Sequence, residues 1–513
     1  MLKNKIIYYL LVFCLILLNS KTKSDSSCQP CGSSSKDCAG ETGSKSFFRP
    51  RSVIEDVTFY LGLSNYNNYK KYFSCENTPE AEPSNIHLYR GMYYEQSRNG
   101  KDLAKYFLPN NQTSVTIKED GTGDIGSLWL KLIAPNDDLY DSVLSLCPSR
   151  NILGSFVNYR QDFVCINGLW LDIKFAIYFA EHELHPKEVL NSQEGTLNNA
   201  ATALQSLDSP RDMRYGRISK CKLKAANFDD IEVKTGYTFL GCPESGYHLD
   251  FYGSMLIPIA PQPIAEFLFE PLIGRGHFGL GFGLNGGYAI FERENKSLAI
   301  MGDFSYQYLF SREEKRSFDL IDNGPWSRYL RLVNRDATAI SSPAINFLTK
   351  CVNVTPRSTI NLWTALHYQH CAWHMELGYN LWWRQSEKIC LKKGCPPFGD
   401  DDLTNLGIFD LANVCNTISA STANISQSKT LNGVGANDVV GDSQFVALSV
   451  ADLDLASASH PSVLTNKFYG AVSYDFVFRC RPVNIGLGAS IELSRDKNAL
   501  EQWGIWANMN VNF

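Results

Sequence analysis

Along most of this chain apolar and polar residues alternate one by one, the period of an extended strand whose two faces meet different surroundings. In 168–179, Leu169, Ile173, Phe175, Ile177 and Phe179 share one face, while Asp172, Lys174 and Tyr178 share the other. In 230–239, Ile231, Val233, Tyr237 and Phe239 oppose Asp230, Glu232 and Lys234. Tyr247, Leu249, Phe251 and Met255 oppose His248, Asp250 and Ser254. Across 278–290 a row of Phe and Leu opposes Gly279, Gly281, Gly283, Asn285 and Gly287. The same rule sets Phe304, Tyr306 and Tyr308 against Asp303 and Gln307, and Met375 and Leu377 against His374 and Glu376. Near the end, Phe476 and Phe478 oppose Asp475 and Arg479, Ile491 and Leu493 oppose Glu492, and Trp503, Val511 and Phe513 oppose Asn508, Asn510 and Asn512. Weaker strand patterns lie at 86–95, 113–118, 127–133 and 156–164.

Alternation alone also suits a sandwich with a dry inner face. Segment length points elsewhere. Many of these runs reach the roughly 9–11 residues that a tilted strand needs to cross a bilayer, against about 5–6 for a strand of a soluble protein. No charge falls on the apolar face of the clear segments, and Tyr, Phe and Trp gather toward segment ends as in interfacial girdles. Short links such as 291–297 alternate with long gaps at 180–229, 311–357 and 395–466. The pattern therefore predicts an all-β fold, an antiparallel transmembrane β-barrel of roughly 12–14 strands with long loops on one side. The loop at 395–466, rich in Asp, Asn, Ser, Thr and Gly, is expected to be exposed, and 196–206 to hold a short helix.

The start of the chain adds a destination. Lys3 and Lys5 precede an apolar run from Ile6 to Leu18, the layout of an export signal, assigned to 1–24. Residues 25–46 read as a disordered Cys/Ser-rich linker and 47–513 as the barrel. Elsewhere no run of about 18 apolar residues offers a spanning helix, in keeping with a mean hydropathy of −0.19. Cys14 leaves with the signal, and the other fourteen of the 15 cysteines are open to disulfide pairing in an oxidising compartment. Cys28 and Cys31 form a C-x-x-C, but no second pair completes a metal site, so no metal or cofactor is expected. A net charge of −5 supplies no basic surplus for a phosphate backbone, which argues against a nucleic-acid partner.

Several motifs are similar to those of an uncharacterised family of outer-membrane barrels from intracellular Gram-negative bacteria. They are Phe-Phe-Arg-Pro-Arg-Ser at 47–52, the stretch from Ala265 to His277, Leu377 to Arg384, Asp452 to Pro461 and Gln502 to Trp506. The resemblance implies location and barrel fold, and no substrate. In an outer-membrane chain Trp503, Val511 and Phe513 belong to the terminal strand read by the barrel-assembly machinery, and outer-membrane lipid meets the apolar face.

Catalytic motifs do not hold up. Gly274, Gly276 and Gly279 spell G-x-G-x-x-G but run into a glycine-rich strand, not a helix. His182 and His185 are three apart and Pro186 follows, unlike a zinc-protease helix. No nucleophile elbow occurs, and an enzyme is not expected. The polar face is read instead as a wet lumen lined by Asp172, Lys174, Asp230, Glu232, Lys234, His248, Asp250, Asp303, Gln307, His374, Glu376, Asp475, Arg479 and Glu492. A pore passing small polar solutes is the leading expectation. The alternative is a surface-exposed barrel whose long loops serve adhesion or host interaction.

Overall fold

The computed structural model describes residues 86–512, apart from 99, 133–138, 164–165, 167, 192–202, 208–212, 242–245, 294, 336, 392–402, 410–422, 428–444, 479–480 and 496–498. The signal and linker assignments, the 47–52 motif, Cys28, Cys31, Arg479 and Phe513 thus lie outside the described residues. All described residues belong to one compact unit. No helix among them is long and apolar enough to cross a membrane.

Twelve strands close into one antiparallel barrel in simple chain order. They are β1 (Ile86–Ser97), β2 (Ser149–Asp162), β3 (Leu169–Glu183), β4 (Ile231–Gly241), β5 (Tyr247–Ile257) and β6 (Gly279–Arg293). The second half comprises β7 (Lys296–Leu309), β8 (Arg357–His370), β9 (Trp373–Arg384), β10 (Val463–Phe478), β11 (Arg481–Ser494) and β12 (Gln502–Asn512). Each strand pairs with the next, and β12 returns to β1 in register from His87 opposite Asn512 to Ser97 opposite Gln502. Closure pairs the edge backbone groups that an open sheet would leave facing lipid. The strand Leu223–Phe228 lies outside this circuit, on the far end of β3.

The alternation sorts the two faces as the period predicts. Leu377, Leu487, Phe468, Met375 and Ile505 stand on the outside and are at least half exposed, with no second sheet packed over them. A stacked-sheet core is therefore excluded, and an apolar band stands exposed around the barrel. Charged residues on the outer face gather at strand ends, Glu181 and Glu183 at one and Arg293 and Lys296 at the other. Arg90 is outward too, four residues in from the start of β1, where its long stem can carry the charge to the interface.

Connections divide by end. Links 163–168, 242–246, 294–295, 371–372 and 479–480 are short and share one end with Ile86 and Asn512. The other end carries 98–148, 184–230, 258–278, 310–356, 385–462 and 495–501. These six are not six independent loops. All contribute to one apolar cluster, including Phe107, Leu207, Phe269, Trp326, Leu406 and Leu500, and no member of that cluster lies in a barrel strand. We call this folded layer the cap.

The cap corrects three expectations. Ser114–Lys118 is a strand, but it pairs with Asp141–Ser145 in the cap and not in the barrel. The 127–133 run contains a short 3-10 turn, Ser127–Leu130, in which Trp129 is buried. Segment 395–466 is not simply exposed, because Leu403, Ile408, Ala423 and Leu453 are buried in the cap core. In each case alternation or composition was read locally, while burial came from the other connections. The 196–206 helix appears at Ala203–Leu207, with 192–202 outside the described residues.

Leu487, 68 % exposed in the middle of β11, tests the lipid face. Leu487→Arg is expected to destabilise the barrel in lipid vesicles by about 2–4 kcal/mol. Urea titration of folded protein in vesicles measures this; an unchanged midpoint contradicts lipid contact there.

Candidate functional site

The inward positions of the twelve strands form the candidate site. They carry two kinds of side chain. The first is an aromatic layer. Tyr93 lies against Gly154, Trp506 against Gly488 and Tyr469 against Gly378, each directly opposite in register. A Cβ built at Gly378 would come within 2.0 Å of the Tyr469 ring, and one at Gly488 within 2.2 Å of the Trp506 ring. The missing side chain is what lets the ring lie flat on the neighbouring strand, which accounts for glycines in segments otherwise suited to β-branched residues. In β6, Gly283 receives the Tyr252 ring in the same way, whereas Gly279 meets Leu309 and Gly281 the Tyr306 carbonyl.

The second kind is charged and polar, organised into three networks. Near the cap end, Lys467 Nζ lies 3.1 Å from Glu492 and 3.7 Å from Glu95. Gln502 Nε2 donates to Glu492 at 3.0 Å, and Arg150 Nη2 donates to Gln502 Oε1 at 2.5 Å. On the β3–β7 wall, Glu232 pairs with Lys174 at 3.6 Å and Lys234 at 3.3 Å. Tyr252 Oη donates to Asp303 at 3.0 Å, Asn285 Nδ2 donates to the same carboxylate at 3.3 Å, and His248 Nε2 lies 3.1 Å from Asn285 Oδ1.

A third network descends the β8–β11 wall toward the short turns. Trp363 Nε1 donates to Tyr469 Oη at 2.5 Å, and Tyr469 donates to Glu376 Oε1 at 2.8 Å. Glu376 Oε2 meets His367 Nδ1 at 3.2 Å, and His367 Nε2 faces His374 Nδ1 at 3.0 Å. His374 Nε2 then lies 3.3 Å from Asp475, whose other oxygen accepts from Asn484 at 2.5 Å. These charges are paired as the cost of burying them requires.

The interior is tightly filled. Glu376 is 3 % exposed, Lys467 2 % and His367 1 %, far less than a wide aqueous channel would leave. One connection adds to the filling. Residues 258–278 turn inward, so that Phe269 stacks on the inward His182 ring at 4.3 Å and Ile273 joins the interior aromatic cluster. Arg275 donates to Gln307 on the wall. Asp230 holds the neck of this segment. Its carboxylate accepts backbone N–H groups from Ile259 and Ala260 at 3.1 Å, Arg275 at 2.8 Å and Gly276 at 2.6 Å. Gly274 and Gly276, with φ of +75° and +64°, make the turns that aim these amides at one carboxylate.

Of the residues expected to line the lumen, Lys174, Glu232, Lys234, His248, Asp250, Asp303, Gln307, His374, Glu376 and Glu492 are inward and buried. Asp172 and Asp475 are inward and half-buried. Asp230 is the correction: just before β4, it clamps a connection and does not line the wall, a role that depends on amides up to 46 residues away. Trp503 faces outward. Sequence reasoning missed Glu95, Arg150 and Lys467, and set His367 on the polar face of its strand without counting it among the lining residues. It also missed the inward aromatics, whose available signal is a glycine at the facing position.

No protein-family model matches this chain, and no curated protein matches it in sequence. Among solved structures it is similar to an outer-membrane channel from Pseudomonas putida F1, at 9 % identity and a TM-score of 0.36, over 85 % of this chain and all of that one. It is also similar to the transport unit of the autotransporter AIDA-I from Escherichia coli, at 6 % identity and a TM-score of 0.29, over 90 % of this chain and 98 % of that one. A FadL homologue from Pseudomonas aeruginosa gives 9 % and 0.26, over 84 % and 90 %. At such scores the likenesses carry no functional argument, and the reading rests on this chain's own geometry.

Where β9 leaves the barrel, a buried ion network ties the cap to the wall. Arg316 lies 2.7 Å from Glu314 and 3.2 Å from Glu387, and Glu387 also accepts the His460 backbone N–H at 3.2 Å. His277, fully buried, sits between Phe310 O at 2.9 Å and Glu314 at 3.0 Å. Burial pushes the Glu387 carboxyl up, but Arg316, with His460 and Arg384, outweighs it and holds the group at about 2 against its usual 4.5.

Because the folded value is the lower one, this carboxylate stabilises the cap fully above about pH 4.5 and progressively less toward pH 2. The loss is on the order of 3 kcal/mol. Hydrogen-exchange protection factors at 312–320 and 385–391 are expected to fall as the pH drops through that window, and Glu387→Gln to remove most of that acid dependence. Protection factors that ignore acid in both proteins would contradict the role assigned to Glu387.

Proposed function

We propose that this chain is an exported outer-membrane channel of a Gram-negative bacterium, passing small polar solutes through a narrow lumen restricted by 258–278. The observation that carries the reading is the sorting of the wall: exposed Leu, Phe and Ile outside, hydrogen-bonded charges inside. A barrel serving only as an anchor has no need of dense ionisable networks along its axis. Twelve strands lie between the roughly 8 that side chains fill and the 16–18 that leave an open aqueous channel, so passage depends on what the interior holds. With the inward segment seated, only small solutes in modest flux are expected. In this reading lipid covers the outer band, the 1–24 signal directs export, and the assembly machinery reads the terminal strand through Trp503, Val511 and Phe513. Membership of the barrel family whose motifs the chain resembles belongs to the same proposal. The Ala265–His277 motif is then the restricting segment itself.

A second reading has its own observation. The six connections share an apolar core, which presents a rigid folded surface suited to a ligand or host component.

Purified protein in planar bilayers tests the channel. Wild type is expected to give small stepwise conductance. Asp230→Ala strips four backbone N–H groups of their acceptor, at about 1–3 kcal/mol for each buried group left unpaired. Loosening that neck is expected to raise the conductance several-fold, whereas silence in both proteins overturns the proposal.

A further inference from the structure

The geometry points to a second site, in the cap: a solvent-open cleft that binds a short neutral oligosaccharide. It does not rest on conduction. Connections 98–148, 258–278, 310–356 and 385–462 meet around a cavity of about 650 Å³. That volume falls within the range of about 300–1,000 Å³ common to small-molecule sites. Phe107, Trp326 and Tyr329 make a buried aromatic floor. Beside them Arg328 and Asp319 form a two-pronged ion pair, Nε to Oδ1 at 2.7 Å and Nη2 to Oδ2 at 2.8 Å. The rim is accessible: Asn110, Asn111 and Ile321 are exposed, and Lys105, Tyr106 and Asp454 are half-buried.

Backbone strain singles this cavity out. Asn110, Asn111 and Trp326 have φ of +56°, +55° and +66°, three of the eight left-handed non-glycine residues described. For tryptophan that conformation is unfavourable. It is held by donation from Trp326 Nε1 to Phe107 O at 3.0 Å and by packing on Tyr329 at 4.7 Å. Asparagine enters this region readily, so the strain rests on Trp326, a left-handed residue in the wall of the cavity.

Ligand class follows from the lining. The Arg328–Asp319 pair is balanced, and Lys105 and Asp454 add one charge of each sign to the lining, so no net charge calls for an ion. The two Asn side chains offer donors and acceptors together, as hydroxyl groups require. Tyr106, half-buried at the rim and packed on the cap core, carries Lys105 Nζ over its ring 5.2 Å from the centre, and a pyranose would displace that ammonium to stack its C–H side there.

Calorimetric titration of the full chain in nanodiscs with chitotetraose and with maltotetraose tests this. At least one is expected to bind with a Kd on the order of 1 mM or tighter. Tyr106→Ala should weaken it about tenfold. Ile321→Trp, which fills the cleft from a site 59 % exposed, should abolish binding while leaving bilayer conductance and the unfolding midpoint unchanged. The proposal is overturned if neither saccharide binds, if binding ignores both substitutions, or if tetra-alanine competes equally for the cleft.

Discussion

Backbone pairing in a medium without water governs this molecule. In hydrocarbon an unpaired N–H or C=O costs several kcal/mol, so a spanning sheet has to close on itself. The ladder between β1 and β12 meets that requirement and makes neighbours of residues more than four hundred apart in sequence. Once the wall is closed, the two-residue period decides the rest. One face stands apolar on the outside, the other encloses the interior, and a slip of a single residue in any strand would exchange them.

The interior then faces its own constraint, since twelve strands enclose a space too wide for small side chains to fill and too narrow to ignore them. Large rings laid flat over facing glycines occupy the middle, and charges pair around them. Such an interior is polar yet close-packed. The inward segment at 258–278 continues this packing toward the cap and is fastened by one carboxylate that satisfies four amides. The polar lining and the close packing of the interior thus arise from the same side chains.

At the cap end the constraint relaxes, because water is available and connections can be long. Here they fold around shared apolar residues instead of hanging free, much as a small soluble domain does. The buried Arg316–Glu314–Glu387 network and the Arg328–Asp319 pair hold this layer in a definite arrangement. The cleft among four connections exists only because they fold together.

Strand character, wall orientation and the inward placement of most polar-face residues were legible in the sequence, because alternation is a local signal repeated over many residues. Glu376, Asp303 and Lys174 could be placed inward from their neighbours alone. Asp230 shared that parity but stands at a strand end, where distant amides claim it, and parity says nothing about partners. Ser114–Lys118 showed that a strand pattern does not reveal which sheet it joins. The sequence by itself determined the period, and with it a wall having one apolar and one polar face. Only the tertiary structure decided the strand number, the inward turn of 258–278 and the core of the cap, since each depends on contacts between segments far apart along the chain.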